Sequence, residues 1–592
     1  MSVNAPHNYD RWPATVLDES HRLWEGSDIW REVADSARAA AAGLGPVIAV
    51  DCYPGVDVRG IVASLESALP DWDVVDVEER GALPTARLDE MLAPYLTDDR
   101  VFGFMSHIPW ESFYDPVRSD ELRELADTHE RPVVLVGWGS AGLAPDRAVV
   151  VLADLARWEI QQRLRAGAGN WHADNGDEDV LRKYKRGFFA EWRTADRHKR
   201  TLFDNLDYLL DTTAGVDSAK LITGDTFRAG LDRTVQGPFR VAPFFDPGVW
   251  GGQWMKDVCG LPDDQDNYAW CFDCVPEENS LLLEVAGARI EIPAIDLVLH
   301  RPQQLLGQKT FDRFGAEFPI RFDFLDTMGG GNLSLQVHPL TAYIRETFGM
   351  PYTQDESYYL LDAEDDAVVY LGLRTGIDGE QMVADLERAQ SGEESFDATR
   401  YVNEFPAAQH DHFLIPAGTV HCSGAGSMVL EISATPFIFT FKMWDWGRLG
   451  LDGRPRPIHL DHAARNIQWD RDTEWTRENL VDQVEELERG EDWVAERTGL
   501  HEFEFIETVR HWFTGPTERD TDGTVHVLNL VEGPEAVIES PTGAFEPYVV
   551  HYAETVIIPA DVGAYTMRPT EGSGDRRLGT ITAHVRGTRA TA

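Results

Sequence analysis

Lysine is almost missing from this 592-residue chain. Seven occur (Lys183, Lys185, Lys199, Lys220, Lys256, Lys309 and Lys442), and the other 46 of the 53 basic side chains are arginine. Acidic side chains number 101, which leaves a formal charge of −48. A field of that sign disfavours nucleic acid and anionic membranes as partners, since both need a basic face. A phosphorylated ligand would need local positive charge, so a lysine kept against this bias is a better functional candidate than usual. Cysteine is sparse as well. Cys52, Cys259, Cys271, Cys274 and Cys422 are odd in number and fit a reducing compartment, not a disulfide framework. "CFDC", Cys271 to Cys274, is the one CxxC. On a regular strand its thiols would face opposite sides, which favours a structural reading over zinc. No apolar run reaches the roughly 18 residues of a membrane span. The opening "MSVNAPHNYDRWPATVLDESHRLW" has neither a basic start nor a greasy stretch, so no signal peptide and a cytoplasmic location are expected.

What is present is a multi-domain globular chain, 43% hydrophobic with 18 tryptophans. After a helical preface, the runs "VIAVD", "DWDVVDV", "RPVVLVGWG" and "AVVVLADL" alternate with helical patterns. That reads as a parallel sheet covered on both faces. A charged helical stretch, "DEDVLRKYKRGFFAEWRTADRHKRTLFDNLDYLLDTT", follows. From residue 240 to about 460, short strands between Gly and Pro turns predict an antiparallel sandwich or jelly roll. An acidic amphipathic helix is expected at "TRENLVDQVEELERG", with its charges in solvent, and then a second, smaller β-sandwich. The expected domains are residues 1–235, α/β; 236–460, jelly roll; and 461–592, a helical connector with the second sandwich.

In "NLSLQVHPL", Gln336 and His338 stand two apart and share one face of a predicted strand, while Leu335 and Val337 take the other. Glu356 opens the apolar run "ESYYLLD", and His421 follows the Pro-Ala-Gly turn of "PAGTVH". Two imidazoles, a carboxylate and an amide oxygen suit zinc, and a set without thiolates commonly keeps a position open for water or substrate. The alternative is four separate, satisfied core residues. His410 and His412 in "QHDHFLIP" could be recruited as ligands or form a surface strand pair.

"LSLQVHP", "PAGTVH" and "WDWGRLGLDGRPRPIHLD" resemble motifs of the class I mannose-6-phosphate isomerases in their short bacterial form, with weaker echoes in "VWGGQW" and "PQQLLG". The resemblance spans roughly residues 240 to 590. It implies a cupin-type fold and a zinc ion (Zn2+) held by Gln336, His338, Glu356 and His421. It also implies a small-molecule sugar phosphate partner, with interconversion of mannose 6-phosphate and fructose 6-phosphate. Such an isomerisation moves a proton between C1 and C2 through an enediol while negative charge grows on the sugar oxygens. By the same resemblance Glu431 is a candidate proton carrier, and Lys442 and Arg448 are candidate catalytic cations. Lys442 stands where the family commonly has arginine, and Asp323 and Gln354 stand where it has lysines. The alternative is a metal-binding cupin protein that binds or senses a sugar phosphate without turnover.

"VIAVDCYPGVDVRGIVASL" has the strand–turn–helix layout of a P-loop and resembles a uridine-kinase-like fold. The "GK[ST]" step is missing, and Val56, Asp57 and Val58 occupy its place, so no nucleotide chemistry is expected. The basic segment with Lys183, Lys185, Arg186, Arg193, Arg197, Lys199 and Arg200 either receives a phosphorylated regulator or pairs with acidic neighbours.

Overall fold

The runs "VIAVDC" and "VVLVG" are apolar toward both faces, and strands Val47–Cys52 and Val133–Gly137 are buried along their whole length. Such strands belong in the middle of a sheet covered on both sides. The computed structural model, which describes residues 8–587 apart from 42, 435–438, 452, 454, 455 and 500, places them there. The start of the stretch read for a signal peptide and part of "WDWGRLGLDGRPRPIHLD" thus lie outside the described residues.

Two units make up the chain. One comprises Ala14–Arg233 with Ser280–His300, and the other Met1–Pro13, Thr234–Asn279 and Arg301–Ala592. The first is built on a seven-stranded sheet in the order Leu23–Glu25, Lys220–Thr223, Tyr208–Asp211, Val149–Asp154, Val47–Cys52, Val133–Gly137, Asp73–Asp76. The last five are mutually parallel. The expectation of a purely parallel sheet fails at one edge. Lys220–Thr223 runs antiparallel to Tyr208–Asp211, and Leu23–Glu25 antiparallel to it in turn. The eight residues between Asp211 and Lys220 are too few for a crossover helix, so the chain must turn straight back. The charged stretch is helical as Val180–Arg186, a π turn Gly187–Glu191, Trp192–Arg200 and a short 3-10 turn Phe203–Asn205. Its end, Tyr208–Asp211, is a strand buried on both faces, which a periodicity of apolar residues cannot separate from a helix over so short a run. The segment Ser280–Val285 and Ala288–Pro293 forms a hairpin, with Ala14–Val16 added in parallel.

The second unit holds two β-sandwiches. In the first, a six-stranded antiparallel sheet orders His412–Ile415, Glu356–Ala363, Ser427–Ser433, Arg321–Asp326, Trp270–Cys274 and Phe244–Asp246. It is paired with a five-stranded one ordering Val402–Pro406, Val368–Leu373, His421–Ser423, Leu335–Val337 and Phe441–Trp444. The other sandwich has six strands from Glu485 to Val585 and four from Thr517 to Pro569 around a core of Phe513, Leu528, Leu530, Ile538, Val556 and Met567.

Three local expectations change. The acidic helix stops at Leu480 (Thr473–Leu480), and "EELER" is an exposed edge strand hairpinned to Trp493–Arg497. Gly490 turns the chain there, and charge along an edge is what keeps it from pairing with another chain. In "CFDC", a register shift sets Cys271 opposite Phe324 and Cys274 opposite Phe322, so the thiols share a face instead of opposing. All five cysteines are nonetheless buried and free. His410 and His412 do not form a surface pair. His410 leaves the strand with φ +73° and meets Glu532 at 3.2 Å, while His412 is wholly buried.

Candidate metal centre

Antiparallel pairing sets the site. Gln336 lies directly across from His421 on one side and from Lys442 on the other, so all three share a sheet face. On the opposing sheet, Arg321, Ser433 and Glu356 form one cross-strand row, and Asp323, Glu431 and Tyr358 the next. The turn that delivers His421 is fixed by Gly418. Its φ is +85°, its N–H donates to the His338 carbonyl at 3.0 Å, and a Cβ there would sit 2.7 to 2.9 Å from Gln468, Asn466 and Leu340.

His338, Glu356 and His421 converge, and among the described residues no other group of three or more such side chains is placed to hold a metal ion. Each imidazole commits Nδ1 to a carbonyl, His338 to Phe439 and His421 to Thr419, at 2.9 and 2.8 Å. That choice of tautomer turns both Nε2 lone pairs toward Glu356. Each Nε2 then stands 2.9 Å from a Glu356 carboxylate oxygen, with all three side chains fully buried. The His338 Nε2 and Glu356 Oε1 atoms nevertheless have no hydrogen-bonded partner. Buried acceptors facing acceptors need a cation between them or protons on the rings. Burial pushes the Glu356 pKa up, but His338 and His421 outweigh it and hold the carboxyl well below its usual range. These residues therefore fit a divalent ion. Gln336 brings its amide to 3.2 Å from His421 Nε2, and with the amide turned over its oxygen joins the set.

Around this centre, Gln354 donates to Glu356 at 2.9 Å and accepts from the Phe439 N–H. Burial, then Glu356 and Asp323, push the Glu431 pKa well above the ordinary carboxylate range. Asp323 is itself pushed up to about 7 by burial, against the pull of Arg321, which it meets at 2.9 Å. Arg448 is tied into its own loop, donating to Asp445 and to the Asn332 carbonyl, each at 2.6 Å. The sequence reading passed over Tyr358, whose buried hydroxyl lacks a hydrogen-bonded partner. Its spacing of two from Glu356 on one strand was the available signal.

In the first unit, a cleft of ≈ 1320 Å³ is lined by the turn Tyr53 to Arg59 with Asp76, Glu78 and Trp171 among others. Where a P-loop would offer free backbone N–H groups, Asp57 caps its own helix by accepting from Gly60 N at 3.0 Å. The basic segment is largely turned inward. Lys183 donates to the carbonyls of Leu164, Ala168 and Gly176, Arg186 pairs with Asp89 and Glu191, and Lys199 sits between Asp154 and Asp296 at 3.0 and 2.6 Å.

A family described as a domain of unknown function (DUF8485) matches residues 28–236. Over 232 residues the chain is 27% identical to the mannose-6-phosphate isomerase ManA of Bacillus subtilis (strain 168), covering 39% of this chain and 68% of that protein. It is 26% identical over 219 residues to the mannose-6-phosphate isomerase of Streptococcus mutans serotype c, covering 36% of this chain and 63% of that one. The crystal structure of the mannose 6-phosphate isomerase from Bacillus subtilis aligns with 59% of this chain and 100% of its own, at 18% identity and a TM-score of 0.47. No helix among the described residues is long and apolar enough to cross a membrane. At low identity, and over part of its length, this chain is similar to mannose-6-phosphate isomerases.

Proposed function

We propose that this protein is a zinc-dependent aldose–ketose isomerase interconverting mannose 6-phosphate and fructose 6-phosphate. The observation that carries the reading is the buried convergence of His338, Glu356 and His421, with both Nε2 lone pairs and the carboxylate directed at one another. The names of the similar proteins supply mannose 6-phosphate, and aldose–ketose isomerisation between C1 and C2 makes fructose 6-phosphate its counterpart. Gln336, His338, Glu356 and His421 would hold the ion, which supplies polarisation of the sugar oxygens as enediol charge develops.

The chain's own groups do the rest. Glu431 lies on the same interior face as Glu356, two rungs along the sheet, and its raised proton affinity suits it to take a proton from one sugar carbon and return it to the other. Lys442, across from Gln336, brings positive charge to the side of the site where negative charge grows. Arg448 acts by positioning, pinning the loop around Asp445 to the Asn332 carbonyl.

One observation favours a second reading. Arg321, on the interior face, is engaged by Asp323, and Gln354 brings no charge, which leaves little for a phosphate. A metal-binding cupin protein without turnover would fit that. The deciding experiment is a coupled assay of the purified full chain with mannose 6-phosphate, with and without zinc, alongside metal analysis of His338→Ala and His421→Ala. Turnover that needs zinc and disappears with the metal in both variants supports the isomerase. A fully zinc-loaded protein that leaves the substrate unchanged refutes it, and full metal content in both variants refutes the site.

A further inference from the structure

The interior of the second sandwich is apolar at one end and polar at the other. Strand Thr517–Asp520 alternates, so Glu518 and Asp520 point to solvent and Arg519 points inward. Arg519 is 9% exposed. Its Nε donates to Thr517 and its Nη1 to Thr580 of the facing sheet, each at 3.1 Å. Nη2 is buried and reaches no acceptor at hydrogen-bonding distance, although the Tyr565 hydroxyl acts on the guanidinium. Among the described residues no carboxylate pairs with this guanidinium. Its other neighbours are the Phe513 ring, whose centroid lies 5.5 Å from Cζ, and Tyr565, its direct cross-strand partner. A buried charge without a counterion is costly, and neither hydroxyls nor a ring face replaces one.

The surrounding groups repeat the pattern. His511 is the direct cross-strand neighbour of Thr580, and its Nδ1 is buried without a partner, as is Thr582 Oγ1. Burial and the Arg519 charge push the His511 pKa far down, so the ring is neutral and one nitrogen carries a hydrogen to donate. His526 shares its Nδ1 with the Tyr565 hydroxyl at 3.2 Å and lies 5.4 Å from the ring of His584. His511 and His584 are partly exposed, which opens this end of the sandwich to solvent. Among the described residues no carboxylate is hydrogen-bonded to or ion-paired with Arg519, His511, Thr580 or Thr582, a set of one cation, one imidazole and two hydroxyls. Such a set lacks one partner type, a negatively charged acceptor.

We propose that the polar end of the second β-sandwich binds one small anion, a carboxylate, phosphate or halide, seated on Arg519 with His511, Thr580 and Thr582 around it. The site is separate from the metal centre and stands whether or not that centre is catalytic. Calorimetric titration of the full chain with acetate, phosphate and chloride in turn, in a zwitterionic buffer, tests it. At least one of them should bind the wild type at one per chain, and Arg519→Met should weaken that binding about tenfold or more, the loss expected for a charge-assisted bond. Because removing a buried charge can alter folding, His511→Phe and Thr582→Val keep the guanidinium and should each weaken the same binding, with circular dichroism unchanged. Failure of all three anions to bind the wild type stoichiometrically overturns the proposal. So does binding of equal strength in the wild type and every variant, which would mark surface association.

Discussion

Replacing His412 by phenylalanine should make the protein markedly less sensitive to acid. His412 is fully buried in strand His412–Ile415, neither ring nitrogen has a hydrogen-bonded partner, and the Tyr359 ring meets it edge-on at 5.6 Å. Burial, helped by the charge of Arg510, pushes its pKa down to about 3 from the ordinary 6.5. The sign follows directly. The unfolded chain takes up a proton below pH 6.5 that the folded chain refuses, so the stability is complete above about 6.5 and is lost as pH falls toward 3. Each unit is worth about 1.4 kcal/mol, so His412 alone costs roughly 2.7 kcal/mol at pH 4.5 and levels off near 5 kcal/mol below pH 3. Phenylalanine keeps the ring volume and removes the titration. Urea denaturation of both proteins, followed by tryptophan fluorescence from pH 7.5 to 4.5, should show the variant gaining on the wild type by about 2 to 3 kcal/mol across that range. Stability curves that stay parallel over the whole range would refute the reasoning, because a histidine exposed to solvent gives no such divergence.

Lys442→Met should lower kcat/KM by about 10²-fold with metal content intact, and Lys442→Arg should keep most activity, whereas unchanged kinetics in the Met variant would strike Lys442 from the site. Gly418→Ala forces a side chain into a left-handed position already crowded by Gln468 and Asn466. It should cost roughly 1–3 kcal/mol and weaken zinc retention, measured by denaturation and metal analysis together. In the first unit, ATP should bind weakly and undergo no hydrolysis. Asp57→Ala should remove about 1 kcal/mol of helix capping without creating ATPase activity, and magnesium-dependent ATP consumption by the wild type would contradict the inert turn.

Period-two spacing paired Gln336 with His338, and the resemblance in "QVHP" and "PAGTVH" added Glu356 and His421 to the proposed ligand set. Gln336 and His338 had to share a face once a strand was assumed, and Glu356 and His421 each stood beside a strand boundary. What spacing could not give was the third dimension: that Lys442 stands across from Gln336, or that Arg321 would be held by Asp323 instead of facing the site alone. Both depend on register between strands distant in sequence. The two thiols of "CFDC" show the same limit at short range, since one register shift reversed the face of Cys274. "EELER" failed for another reason. Its charges satisfy an exposed helix and an exposed edge strand equally, and the hairpin partner Trp493–Arg497 decided between them. Arg519 was invisible for a related cause, because an arginine between two acids in a strand reads as surface until the pleat turns it inward.

The hairpin and helix of Ser280–His300 carry a consequence for how the protein is made. They belong to the same unit as Ala14–Arg233, although the chain departs for 46 residues in between. Glu291 N reaches Asp211 at 2.8 Å, and Asp296 supplies the nearest of the three carboxylates around the buried Lys199. During synthesis, then, the seven-stranded sheet emerges complete, but the unit it belongs to cannot reach its final form until residue 300 has left the ribosome. A fragment cut near residue 235 would leave Lys199 one carboxylate short and Ala14–Val16 without its parallel partner strand. The first unit is therefore completed only by residues translated after the second unit has begun.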